Sequence, residues 1–301
     1  MPDIKSEIEK RRTFAIISHP DAGKTTLTEK FLLYGGAINL AGSVKGKKTA
    51  KHAVSDWMEI EKERGISVTS SVLQFNYGGY CINILDTPGH EDFSEDTYRT
   101  LMAADSAVMV IDASKGVEKQ TIKLFKVCVM RHIPIFTFIN KMDREANDPF
   151  ELLDEIESVL GISTCPVNWP IGCGKEFKGV YDRNEREVSL FKAAMNGQKE
   201  VDTKNMSIDD AALKDEIGQA FFDKLNEDVE LLDGASAEFD LEKVQAGDLT
   251  PVFFGSALTN FGVETFLQHF LKMTTPPLPR NSSEGIIGPV KEDFSAFVFK
   301  I

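Results

Sequence analysis

Residues 18–26 read Ser-His-Pro-Asp-Ala-Gly-Lys-Thr-Thr, a string suited to binding a polyphosphate. The apolar run Phe14–Ile17 precedes it, and a helix-like spacing of apolar residues follows. In a strand–turn–helix unit of this kind, backbone N–H groups and the positive end of the helix dipole face the phosphates. We expect Lys24 to reach the outer phosphates and the Thr25 hydroxyl to bind Mg²⁺. The predicted phosphate loop comprises Ser18, which replaces the usual opening Gly, then His19, Pro20, Asp21, Ala22, Gly23, Lys24, Thr25 and Thr26.

A second polar string, Asp86-Thr87-Pro88-Gly89, ends the apolar run Ile82–Leu85. In nucleotide hydrolases an Asp at the carboxyl end of a strand holds Mg²⁺, usually through water, and a Gly turns its N–H to the γ-phosphate. An ordinary turn is the alternative, because Thr-Pro-Gly is common in turns. The position at a strand end, downstream of the phosphate loop, favours the nucleotide interpretation. Asp86 is therefore predicted as a Mg²⁺ ligand.

A third string, Asn140-Lys141-Met142-Asp143, follows the predicted strand Ile135–Ile139. A carboxylate here can accept hydrogen bonds from the N1–H and the exocyclic amine of guanine, a donor pair that adenine lacks. Such a bidentate contact discriminates between bases by a factor on the order of 10⁴. A polar loop closing a strand is the alternative, and the order of the strings along the chain argues against it.

The fourth string, Ser256-Ala257-Leu258, follows the apolar run Val252–Phe254 and Gly255. We expect the backbone N–H of Ala257 to bond the guanine O6. Three such residues say little alone, but after the other three strings they complete a site for a guanine nucleotide. Together the four strings predict a GTPase that binds GTP and GDP with Mg²⁺.

The elements that position these strings alternate between strands and helices, with a hairpin predicted at Gly78-Gly79. This order predicts an α/β fold, a P-loop GTPase domain with a mostly parallel sheet and helices on both faces. Ligands then bind at the carboxyl ends of the strands. We expect residues 1–280 to form this domain, with an inserted subdomain at about 164–246. A linker and the first strand of a β-barrel domain, Phe294–Ile301, are expected within 281–301, as the front of a longer protein.

Composition limits the partners and the location. The net charge of −13 argues against nonspecific binding to nucleic acid, and no DNA partner is expected. The sequence has no apolar run of about 18 residues and no apolar signal core, so we expect no membrane association and a cytoplasmic location. The four scattered cysteines fit a reduced compartment. Metal binding by Cys165 and Cys173 is the disfavoured alternative, because no Cys-x-x-Cys or His pair accompanies them.

The string Asp86–Gly89 followed by His90, with Arg64-Gly65-Ile66 upstream, resembles the translational GTPases, which the ribosome activates. Further strings resemble the members of that family that act in translation termination. These strings are Ser18–Lys24, Asp56–Glu59, Arg64–Ser67, Glu91–Arg99, Trp169–Gly174 and Phe297–Lys300.

The resemblance implies site residues and partners beyond those the spacing suggests. It implies that His90 orients the attacking water, although His90 could instead cap the following helix. Ser67 would bind Mg²⁺ where relatives have Thr, and Asp21 would help to hold a monovalent cation unless it only forms a turn. The implied partners are the ribosome and the class-I peptide chain release factors, which the GTP form would release from the ribosome before GTP hydrolysis frees the factor itself.

Two other functions remain open at this point. The first is a translocating factor of the elongation factor G type, or another ribosome-associated GTPase, which would differ in its downstream domains. The second is a nucleotide-binding scaffold without hydrolysis, which would need a defective His90 or Mg²⁺ site. We see neither defect in the sequence.

Overall fold

The computed structural model describes residues 3–38, 71–87, 94–191, 203–283, 285–290, 294–296 and 298–299. Its strands are β1 (Arg11–Ser18), β2 (Ser71–Tyr77), β3 (Tyr80–Asp86), β4 (Ser106–Asp112), β5 (Ile135–Asn140), β6 (Ser163–Pro166), β7 (Asn168–Ile171), β8 (Gly179–Asp182), β9 (Glu187–Phe191), β10 (Thr203–Ser207), β11 (Leu249–Phe254), β12 (Arg280–Ser282) and β13 (Gly285–Ile287). Its helices are α1 (Ile4–Glu9), α2 (Lys24–Tyr34), α3 (Ser94–Leu101), α4 (Lys119–Met130), α5 (Pro149–Leu160), α6 (Leu213–Ile217), α7 (Gln219–Ala235), α8 (Leu241–Ala246) and α9 (Val263–Met273), with a 3₁₀ turn at Gly174–Glu176.

The main sheet has the strand order β2-β3-β1-β4-β5-β11-β6 within the described residues. All neighbouring strands pair in parallel except β2 and β3, which are antiparallel. Every residue of β4, β5 and β11 is buried, as expected for parallel strands that helices cover on both faces. The predicted α/β fold with a mostly parallel sheet is confirmed.

The β2–β3 hairpin turns through Gly78 and Gly79, whose φ angles are +56° and +84°. A two-residue hairpin loop needs left-handed backbone at both positions, which glycine adopts without a steric cost. The hairpin predicted from the Gly-Gly pair is therefore confirmed.

One face of the sheet is covered by α2 and α9 through a cluster of phenylalanines. The rings of Phe14 and Phe270 lie 4.7 Å apart edge to face, and Phe31 stacks on Phe266 at 5.8 Å. Aromatic pairs of this geometry add about 0.5–1.5 kcal/mol each to the free energy gained by burial. The cluster fixes α2, and with it the end of the phosphate loop, against the sheet.

A second, antiparallel sheet has the order β10-β9-β8-β7 and lies within the predicted insertion. Within this sheet β8 and β9 form an antiparallel hairpin around residues 183–186. The indole N–H of Trp169 in β7 donates to Asp228 of α7 at 3.0 Å, in a buried contact that joins this sheet to its helix. Residues 164–166 of the predicted insertion belong instead to β6, because they pair with β11 in the main sheet.

After α9 the chain is fastened to the amino end of β4. Asp105 accepts hydrogen bonds from the Leu278 N–H at 3.0 Å and from the Arg280 guanidinium at 2.6 Å. Before the predicted strand Phe294–Ile301, β12 and β13 form a short antiparallel pair; residues 294–296 and 298–299 show no strand pairing, and the first strand of a β-barrel domain stays a prediction.

No helix in the described part of the chain has the length and apolar character needed to cross a bilayer.

Candidate nucleotide-binding site

The four predicted strings meet at the carboxyl edge of the main sheet. Ser18 ends β1, Asp86 ends β3, Asn140 ends β5, and Ser256 follows β11. These strands are neighbours or near neighbours in the sheet, and β1 pairs with β3 so that Ile16 lies opposite Asp86. The parallel order thus gathers segments that are far apart in sequence, and it does so where ligands bind in open α/β sheets.

The phosphate loop has a backbone that side chains seldom allow. Asp21 has φ +66° and Gly23 has φ +102°. A Cβ on residue 23 would stand 2.2 Å from Asn140 Nδ2, which in turn donates to the Ala22 carbonyl at 2.9 Å. The loop is therefore held from the side by the third string. The amide of Ala22 closes a turn onto the His19 carbonyl at 3.2 Å.

Lys24 lies at the base of this loop, buried beside Asp86. Its Nζ is 2.8 Å from Asp86 Oδ1 and also donates to the Thr87 carbonyl, while the Thr87 hydroxyl donates to the Ile16 carbonyl at 2.7 Å. A buried ion pair is costly to desolvate, and this one brings a cation and a carboxylate together at one point. This donor set fits a Mg²⁺–polyphosphate group, because the hydroxyl of Thr25 follows in the first turn of α2.

The side chain of Asn140 connects the loops. Its Oδ1 accepts from the backbone N–H of Lys141 and from that of Ala257, each at 2.8 Å. The Ala257 N–H expected to bond guanine O6 therefore has a partner inside the protein. In this structure the amide holds the fourth string to the third, and the expected bond to guanine O6 stays a prediction.

Asp143 is held in place by the fourth string. The Ser256 hydroxyl donates to Asp143 Oδ1 at 2.5 Å, and the Thr259 N–H donates to the Ser256 hydroxyl at 3.3 Å. Arg144 Nε lies 4.0 Å from Asp143 Oδ2, and the carboxylate side chain remains 16% exposed. One carboxylate oxygen is thus fixed by a hydrogen bond, and the other lies on the side of Arg144.

Met142 and Leu258 are apolar members of the third and the fourth string. The Met142 side chain is 1% exposed and packs in the core, while its N–H donates to the Gly255 carbonyl at 3.1 Å. Its role is to join the third string to the end of β11. Leu258 is half-buried, and so are Pro20 and Thr26 of the phosphate loop.

The predictions for Ser67, Pro88, Gly89 and His90 lie outside the described residues. The predicted water-orienting residue and one predicted Mg²⁺ ligand are among them.

Sequence reasoning missed Asp112, which ends β4 at the same edge as the four strings. Asp112 forms an ion pair with Lys141 Nζ and accepts a hydrogen bond from the Ser114 hydroxyl at 2.7 Å. Burial alone would raise the pKa of Asp112, but the bonds from Lys141 and Ser114 outweigh it and lower that pKa. A signal was present in the sequence, because the apolar run before Asp112 ends in a carboxylate just as the run before Asp86 does.

Residues 9–276 match the family model described as the elongation factor Tu GTP binding domain. Peptide chain release factor 3 of Symbiobacterium thermophilum is 62% identical over 301 residues, covering 100% of this chain and 57% of that protein. Peptide chain release factor 3 of Gloeobacter violaceus is 58% identical over 300 residues, covering 100% of this chain and 56% of that protein.

A solved crystal structure of a Thermus thermophilus protein is similar with a TM-score of 0.69 and 25% sequence identity, covering 88% of this chain and 40% of that chain. The chain spans about half the length of the curated relatives it matches. The chain belongs to the translational GTPases that carry the elongation factor Tu GTP binding domain, and along its whole length it is similar to peptide chain release factor 3.

Proposed function

We propose that this chain is the nucleotide-binding part of a GTPase of translation termination. The whole protein would bind the ribosome in its GTP form, promote release of class-I peptide chain release factors after peptide release, and hydrolyse GTP for its own departure. The names of the relatives support termination as the process. The observation that carries guanine recognition is Asp143, held at one oxygen by Ser256 at the carboxyl edge of the sheet.

At the phosphate end, Lys24 would exchange its contact with Asp86 for the outer phosphates of the nucleotide. The loop amides around Gly23 and the amino end of α2 would supply further positive charge. The residues that would hold Mg²⁺ are Thr25 and Asp86, with Ser67 added in the GTP form. When bound, Mg²⁺ neutralises charge on the phosphate oxygens.

Asp21 is proposed as a further ligand of a monovalent cation near the phosphates. It is exposed, and its φ of +66° turns the backbone at the middle of the phosphate loop.

At the base end, the two carboxylate oxygens of Asp143 would accept the N1–H and the exocyclic amine of guanine. The Asn140 side chain keeps Lys141 and Ala257 at fixed places beside that carboxylate. These contacts pre-organise the site, so little ordering cost is left for the nucleotide.

Hydrolysis needs a water in line with the γ-phosphate, and positioning together with charge stabilisation supplies most of the rate. We propose His90 as the residue that orients this water. Weak hydrolysis by the chain alone, strongly raised by the ribosome, follows from a water-orienting group that must be placed from outside.

A change of base specificity tests guanine recognition. Asp143→Asn replaces an acceptor by an amide that can donate to the carbonyl at position 2 of xanthine. We expect GDP binding to weaken by at least about 100-fold and XDP binding to strengthen, since the site then matches a different pattern of donors. Titration calorimetry with both nucleotides measures this, and unchanged GDP affinity would refute the assignment.

GTP turnover on ribosomes tests the process. In the full-length protein that contains this chain, we expect terminated ribosomes to stimulate hydrolysis strongly and His90→Ala to abolish the stimulation while GDP affinity stays the same. Fast GTP hydrolysis without ribosomes, at a rate that His90→Ala leaves unchanged, would contradict the proposal. Release of a labelled class-I factor from terminated ribosomes distinguishes this function from translocation.

A further inference from the structure

The turn between β4 and α4, residues 112–118, contacts both ends of the candidate nucleotide site. At its start Asp112 forms an ion pair with Lys141 Nζ, next to the base-binding carboxylate. At its end Glu118 Oε1 lies 3.3 Å from His19 Nε2 in the phosphate loop. Neither Asp112 nor Glu118 belongs to the four strings that the sequence singled out.

The turn is internally fixed around Asp112. Asp112 Oδ1 accepts from the Ser114 N–H at 3.0 Å as well as from its hydroxyl. The Asp112 carbonyl accepts from the amides of Lys115 and Gly116 at 3.0 and 2.9 Å. Because the carboxylate is 3% exposed and tied on one oxygen, its other oxygen presents a fixed acceptor to Lys141.

Helix α5 supports the turn from behind. Glu155 Oε1 accepts from the Val117 N–H at 3.0 Å. A Cβ on residue 116 would stand 1.9 Å from Glu155 Oε2, and Gly116 has φ +68°, so this approach requires glycine. Helix α5, which carries none of the four predicted strings, thus determines where the turn lies.

The two groups held by the turn depend on it. Lys141 has φ +74°, a conformation that costs a non-glycine residue free energy and persists only when its surroundings hold it. His19 Nδ1 is buried without a hydrogen-bond partner among the described residues, so the contact of Nε2 with Glu118 orients the ring.

We propose that the 112–118 turn is a positioning element of the nucleotide site. Asp112 places Lys141, and through it the segment that carries Asp143, so it supports selectivity for guanine. Glu118 places His19, so it supports affinity for the phosphates. This inference rests on the proposed binding of guanine nucleotides.

Substitutions at the two ends of the turn should change nucleotide affinity in different ways. Asp112→Asn keeps the size of the side chain but removes the charge that faces Lys141. We expect it to lower the ratio of GDP to IDP affinity about tenfold, because IDP lacks the exocyclic amine that guanine recognition uses. Glu118→Gln should weaken GDP and IDP alike, about fivefold, and leave their ratio unchanged.

The experiment measures Kd for GDP and IDP by calorimetry on the chain and its variants, with melting temperatures recorded in parallel. The matched control is Glu151→Gln, which neutralises an exposed carboxylate on α5 and should change neither affinity. If Asp112→Asn proves too unstable, Ser114→Ala removes one bond to the same carboxylate and should lower the ratio by a smaller factor.

The outcomes separate the two proposals. Failure of the unaltered chain to bind GDP would reject the proposed function. Normal GDP binding with an unchanged GDP/IDP ratio in Asp112→Asn, or with unchanged affinities in Glu118→Gln, would overturn the role of the turn alone.

Discussion

At residue 23 two conditions coincide, a backbone φ of +102° and an Asn140 amide 2.2 Å from where a Cβ would stand. Only glycine satisfies both. The absence of a side chain at Gly23 lets Asn140 reach the Ala22 carbonyl, so the first and the third string touch directly. Gly23 thus shapes the third string as well as its own loop.

We expect Gly23→Ala to weaken GDP binding by at least about tenfold and to lower the free energy of unfolding by about 1–3 kcal/mol. The added Cβ must push Asn140 aside or force the backbone to change. Calorimetry with GDP and urea unfolding measure both effects.

The control for this substitution is Gly247→Ala, where φ is +84° but no atom lies within 4 Å of the new Cβ. It carries the backbone strain without the collision. Equal GDP affinities in the two variants would show that the contact with Asn140 has no part in the site.

At the scale of elements, a buried polar contact ties the second sheet to the main domain. His269 Nε2 of α9 lies 2.5 Å from Asp182 Oδ2 at the end of β8. The other oxygen of Asp182 accepts from the amides of Asn184 and Glu185 at 3.0 and 3.2 Å. The hairpin turn and the last helix over the phenylalanine cluster therefore share one carboxylate.

We expect His269→Ala to lower the free energy of unfolding by about 3 kcal/mol, because it leaves the buried Asp182 carboxylate without its ring partner. Urea unfolding followed by circular dichroism measures the change. Gln268→Ala, at an exposed neighbouring position, should stay within about 0.5 kcal/mol.

The double variant with Asp182→Asn provides the second test of this contact. Since it removes the unpaired charge, part of the lost stability should return. If the loss of stability in the double variant equals the sum of the losses in the two single variants, the two residues are not coupled.

At the scale of the whole molecule, buried thiols make folding sensitive to alkaline pH. Burial raises the pKa of Cys128 to about 12 and that of Cys165 to about 11, compared with ~8.5 for an exposed thiol. Below the unfolded value both states keep the proton. Above it the unfolded chain loses protons that the folded chain retains, so stability falls as the pH rises toward those raised values.

We expect the urea midpoint of the chain to drop between about pH 7 and about pH 10, and Cys128→Ala to make that drop smaller. Cys81→Ala, at a half-buried thiol, serves as the control for a lost cysteine. An identical pH dependence in the chain and in Cys128→Ala would contradict this account.

The sequence predicted much of this molecule because its signals are local. Apolar runs such as Phe14–Ile17 and Ile135–Ile139 became buried strands, and the polar residues after them came to one edge because parallel strands must end there. Gly78 and Gly79 gave the hairpin for the same local reason, a need for left-handed backbone.

Other features depend on contacts that no local pattern records. Asp112 and Glu118 matter through Lys141 and His19, which are distant in sequence and meet them only in the folded sheet. Likewise β6 joins the main sheet because β11, far downstream in the sequence, offers it an edge.

The fastening of the exit segment has a mechanical consequence. The Leu278 N–H and the Arg280 guanidinium donate hydrogen bonds to Asp105 at the amino end of β4. At the opposite end of the same strand, Asp112 forms an ion pair with Lys141. A force on the chain beyond residue 280 would therefore act on β4, whose opposite end contacts the third string through Asp112 and Lys141. Tension on the exit segment and changes at the third string would thus act on the same strand.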